Sequence, residues 1–165
     1  MTDTAAPGAN QTPAQSSPAE IELSLRLIEC FKSNEDRDEV QCEISYRFAN
    51  QEKPIKVVYP VNGSWKLTAG QSVGPNLSLY EGKIDQELRL EIHFFEEDGS
   101  GVLPALNDRL GGMNLVIGPD HKTIWTAHQR TAHLGRLSEG RQVFQLLGAN
   151  AEYQVTLVLF QKIPL

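Results

Sequence analysis

Two stretches of the chain concentrate carboxylates. The first, SNEDRDE (Ser33 to Glu39), holds Glu35, Asp36, Asp38 and Glu39 against a single Arg37. The second holds Glu96, Glu97 and Asp98, with Asp108 closing the loop that follows. Carboxylate oxygens are the natural ligands of hard cations, and calcium takes roughly six to eight oxygens at one point. One loop rarely supplies that many. Two acidic loops at the same end of a domain would converge. The competing reading is a pair of solvated loop tips, where acids are common and kept ionised by water.

Other chemistry is thin. The four histidines are His93, His121, His128 and His133. The spacing of the last three is poor for zinc, and no cysteine lies near them, so they read as surface or turn residues. Cys30 and Cys42 do not make a disulfide framework. Cys42 falls on the apolar parity of its segment and reads as a buried thiol, and neither cysteine has a base beside it in sequence. No nucleophile elbow, phosphate loop, dinucleotide fingerprint or HExxH is present. No catalytic residues are assigned, and the chain is not read as an enzyme.

Composition narrows the partners. The chain has 165 residues, 40% hydrophobic and 22% charged, with a formal net charge of -6. That suits one domain with a real core. The negative charge argues against nucleic acid as a partner, and against a membrane unless a cation mediates. The basic residues Arg130, Arg136 and Arg141 form only a weak cluster. No apolar run reaches the roughly 18 residues needed to span a bilayer, and no secretory signal is visible. A cytoplasmic location is the expectation.

The elements that must position these groups are strands. Residues 1–19 hold no periodicity and almost no large apolar side chain, and read as a flexible arm or one ordered by a partner. From Ile21 the pattern has period two. Ile21, Leu23, Leu25 and Leu27 alternate with polar residues; so do Val40, Cys42, Ile44, Tyr46 and Phe48; so do Leu88, Leu90, Ile92 and Phe94; so do Tyr153, Val155, Leu157 and Leu159. Each is a strand with one buried face, and Leu90, Ile92, Ile44 and Leu157 should meet in one core. Weaker strands lie near 55–61, 64–67, 77–80, 113–117, 122–126 and 141–147. One short helix candidate, around 126–137, reads equally as a loop. Turn signals such as Asn62-Gly63 and Gly118-Pro119 separate these runs. The expected fold is all-β: a single antiparallel sandwich of about eight strands over residues 20–165.

The first strand, acidic loop and second strand, LSLRLIECFKSNEDRDEVQCEISYRF, resemble the calcium- and lipid-binding C2 domain. So do the strand end Glu96-Glu97-Asp98 and the Asp108-Arg109-Leu110-Gly111 that opens a later strand. The resemblance implies calcium as cofactor, with Glu96, Asp98 and Asp108 as ligands and Asp36 or Asp38 added from the first loop. The chain departs from that pattern. Nine residues separate Asp98 from Asp108 where the family has about five, and Glu96 stands where the family has Asp. Domains of this shape that lack the metal serve as docking scaffolds.

Two functions are therefore expected in turn. One is a non-enzymatic interaction module within a larger assembly, binding a protein partner or itself through its acidic loop end and its N-terminal arm. The other is a calcium-dependent membrane or lipid binder. Val102, Leu103 and Leu106 are too apolar for a purely wet loop and are the candidate partner contacts.

Overall fold

The computed structural model describes residues 20–97, 109–138 and 140–162. They form twelve strands and no helix: β1 (Glu20–Lys32), β2 (Asp38–Phe48), β3 (Ile55–Tyr59), β4 (Trp65–Leu67), β5 (Ser72–Val73), β6 (Leu77–Lys83), β7 (Leu88–Glu96), β8 (Arg109–Ile117), β9 (Thr123–Ala127), β10 (Thr131–Ser138), β11 (Arg141–Leu146) and β12 (Glu152–Lys162). Two antiparallel sheets pack face to face as a β-sandwich. The first runs β10-β11-β12-β1, with β5 and β6 sharing the free edge of β1. The second runs β9-β8-β7-β2, with β3 and β4 sharing the free edge of β2. The count exceeds the expected eight because short strands share an edge and because residues 126–137, the helix candidate, are the end of β9, a turn at 128–130 and most of β10.

That last correction has a local cause. β10 pairs with β11 through two register shifts, at His133/Gly135 and Arg136/Ser138. Each shift breaks the alternation that makes a strand visible in sequence. Gly135 has φ +121° at the first shift, a conformation other residues resist.

Alternation elsewhere is obeyed. On β7, Leu88, Leu90, Ile92, Phe94 and Glu96 point inward, and Arg89, Glu91, His93 and Phe95 outward. Leu90, Ile92, Ile44 and Leu157 do share one core, which draws on both sheets. Trp65 and Trp125 pack against its rim. On β1 a bulge between Leu25 and Leu27 shifts the parity: Ile28 and Cys30 are buried, and Leu27, expected inside, is only partly so.

Gly111 on β8 marks a close approach of the two sheets. A Cβ there would fall 2.5 Å from Thr131 Oγ1 and 2.8 Å from Leu146 Cδ2. The glycine of the Asp-x-x-Gly motif is thus required by packing against β10 and β11.

Candidate functional site

The acidic loops do meet. β1 delivers the chain to the loop 33–37, and β2 begins at Asp38 beside the last residue of β7, Glu96. The two loop ends are joined where the Glu97 amide donates to the Glu39 carbonyl at 2.6 Å. β12 begins on the opposite sheet and reaches across with Tyr153.

Asp38 is 0% exposed and its carboxylate is fully engaged. The amides of Asn34 and Glu35 donate to Oδ2 and Oδ1, each at 3.0 Å. The Tyr153 hydroxyl donates to Oδ2 at 2.6 Å. The carboxylate therefore folds its own loop back onto the strand end and ties one sheet to the other. Glu96 is 4% exposed and accepts from the Asn34 side-chain amide at 3.1 Å.

The sequence places both acids in loops, as metal ligands or as solvated tips; both are buried at strand ends. The signal was in the parity: Asp38 precedes Val40, Cys42 and Ile44 on the inward face of β2, and Glu96 follows Ile92 and Phe94 on that of β7. β7 runs through Glu96 because its amide and carbonyl remain in the ladder opposite Val40. Glu96 is likewise not held ionised by water. Burial first, then hydrogen bonding with Asp38 and the negative charges of Asp38 and Glu35, push its carboxyl up to about 7, while the Asn34 amide pulls the other way. Near neutrality Glu96 therefore stands between its protonated and ionised forms beside the Asp38 carboxylate.

Asp36 is exposed at the loop tip and does not join Asp38 and Glu96. Asp98, Asp108 and the apolar Val102, Leu103 and Leu106 lie outside the described residues, as does the arm 1–19. Among the described residues no group of three or more His, Cys, Asp or Glu is arranged to hold a metal ion.

The thiols are free and buried. Burial pushes the Cys42 thiol well up; Cys30 is raised by burial and by the Asp38 charge, against a lowering contact from the Tyr153 hydroxyl. Neither is poised as a thiolate at neutral pH. Tyr153 is raised strongly by burial and by its bond to Asp38, so its hydroxyl stays a donor.

A second feature escaped the sequence reading, because its members are distant in the chain. His93 on β7 and His128 after β9 stand with ring centroids 5.0 Å apart on the outer face of the second sheet. With Arg109, Arg130 and Gln129 they line a groove of about 630 Å³. His133, by contrast, stacks on Phe144 at 4.4 Å and contacts Gln142 Oε1 through Nε2 at 2.7 Å, a packing role.

No helix among the described residues is long and apolar enough to cross a membrane. No protein-family model matches the chain, and no curated protein matches it significantly.

Proposed function

We propose that the chain is a non-enzymatic interaction module that docks a protein partner, or a second copy of itself, along the open edge at β3. The observation that carries this reading is the character of that edge. Among the described residues β3 is the terminal strand of its sheet, and one row of its amides and carbonyls has no ladder partner there. Ile55 is 44% exposed, Val58 41%, and Val61 just beyond the strand 77%. An apolar strand edge is a template for an added strand, and soluble proteins usually blunt such edges with charge or cover them. Lys56 within the strand, and Glu52 and Lys53 just before it, are the charges at this one.

Size exclusion with light scattering on the purified chain, and co-purification from its source, test the reading. Association that Val58→Lys and Val61→Lys both remove supports it. A monomer that recovers no partner, or association indifferent to both changes, counts against it.

A second reading, calcium-dependent lipid binding of the C2 type, draws on the meeting of Asp38 and Glu96 at two strand ends beside the acidic loops. Calcium binding would raise stability by about 2.7 kcal/mol at a hundredfold excess over Kd. An unchanged melting temperature in millimolar calcium removes this reading and leaves the first standing.

A further inference from the structure

We propose that His93 and His128 form a two-histidine site for a first-row transition-metal ion, zinc or copper, seated over Gly112 on the outer face of the second sheet.

The backbone sets the site. His93 on β7 lies opposite Gly112 on β8, and the His128 amide donates to the Gly112 carbonyl at 3.0 Å. Gly112 therefore stands between the two histidines in one row across three elements. Both rings lean over it. The point where a Gly112 Cβ would sit is 2.6 Å from His128 Nδ1, 2.6 Å from the Ile92 carbonyl oxygen and 3.1 Å from His93 Nδ1. Two ring nitrogens from distant parts of the chain thus converge on one small space, left open by the missing side chain.

The chemistry of those nitrogens fits a metal. His128 Nε2 is 2.6 Å from Asn114 Oδ1. An amide oxygen only accepts, so Nε2 carries the proton and Nδ1 presents a lone pair. His93 Nε2 faces the Glu91 carboxylate at 3.7 Å, which favours the same tautomer. Its Nδ1 is buried and has no hydrogen-bond partner among the described residues. A buried polar atom in that state calls for an occupant. Outer contacts from carboxylate or carboxamide to the far ring nitrogen are the usual support of metal-bound histidine. Two imidazoles bound to one ion at about 2.0–2.1 Å and a tetrahedral angle hold their ring centres roughly 5 Å apart, in keeping with the 5.0 Å found.

Charge around the rings decides the pH dependence. Arg109, from β8, faces both; Glu91 on β7 faces both; Glu43 on β2 faces His93; each ring faces the other; and Arg130 lines the same groove. Burial lowers both imidazoles below their ordinary range, and Arg109 adds to this while the acids oppose it. Imidazole binds a metal ion only in its neutral form, so protons compete with the metal and affinity rises with pH. With two protein ligands, water completes the coordination shell and the metal exchanges readily.

Calorimetric titration of the intact chain with zinc, repeated with copper, tests the site. One ion per chain is expected, with copper the tighter. Affinity should rise from pH 6 to pH 7.5 and fall at least tenfold in His93→Gln and in His128→Gln, with His133→Gln unchanged. Asn114→Ala should weaken binding by about tenfold through loss of the tautomer-fixing contact. Should a histidine variant fail to fold, the unaltered chain still decides. Substoichiometric copper should broaden the imidazole proton resonances of His93 and His128 and spare His121 and His133. Absence of saturable binding, affinity that falls as pH rises, or broadening centred on His121 or His133 overturns the proposal.

Discussion

Asp38 shows how one side chain serves two levels of structure. Its carboxylate accepts two amides of its own loop and a hydroxyl from the opposite sheet, so it orders the 33–37 turn and pins β12 to β2. Tyr153→Phe removes the hydroxyl and keeps the ring. The buried carboxylate then loses one of three donors, at a cost of about 1–3 kcal/mol, read as a lowered denaturation midpoint with an unchanged slope. Glu96 makes a sharper prediction. Its carboxyl rises from an ordinary 4.5 to about 7 on folding, so the native state binds the proton more tightly than the unfolded chain does. Its contribution is therefore fully present below about pH 4.5 and is lost as pH climbs through about 7. Glu96→Gln, which mimics the protonated acid, should raise the melting temperature at pH 8, leave it nearly unchanged at pH 5, and flatten the profile between. A variant less stable than the parent at pH 8 would show that the ionised acid is the form the fold requires. Neither role was legible while these acids were treated as loop residues. What makes an acid structural here is the parity of its strand, extended one position past the last apolar residue.

At the scale of elements, the strands with unbroken alternation were legible and those with bulges were not. β2, β7 and β12 present a continuous inward row that any window reveals. β10 carries two register shifts and β5 is two residues long, so neither leaves a periodic trace. β1 shows both behaviours, clear through Leu25 and displaced after its bulge. β8 carries a different kind of information. Its paired glycines look like loop punctuation, yet Gly111 is buried strand where β10 and β11 press closest. Gly111→Ala must displace the Thr131 hydroxyl and the Leu146 side chain, and overpacking of this sort costs about 1–3 kcal/mol. Pairing it with Leu146→Ala, which opens the same space, should cost less than the sum of the two single changes in chemical denaturation. Strict additivity would place the strain elsewhere.

Across the whole molecule, the two sheets share one core. Ile92 is fully buried between Ile44 on one side and Met113 on the other, at the middle of the second sheet and facing the first. Phe144, Tyr153, Val155 and Leu157 of the first sheet belong to the same cluster. The sandwich class could be foreseen because burying one face of each strand leaves few alternatives to two packed sheets. The histidine pair could not, because the 35-residue separation of His93 and His128 is bridged only once β7, β8 and β9 are in register. A shared core has an energetic consequence. If each sheet leaned mainly on its own ladder, a change at Ile92 would loosen the second sheet and spare the first. With the core common to both, the loss is shared. Ile92→Val removes one methylene and should cost about 0.5–1.5 kcal/mol. Far-ultraviolet dichroism, which reports both sheets, and fluorescence of Trp65 and Trp125, which lie in the second, should still melt together at a single lowered midpoint. Ile92→Asp places an unpaired charge at that position, and the chain should not fold. Should the fluorescence transition of Ile92→Val precede the dichroism transition, the second sheet opens alone and the core is divided. Coincident curves mean that the edge at β3, the buried acid pair and the histidine pair all rest on one cooperative frame.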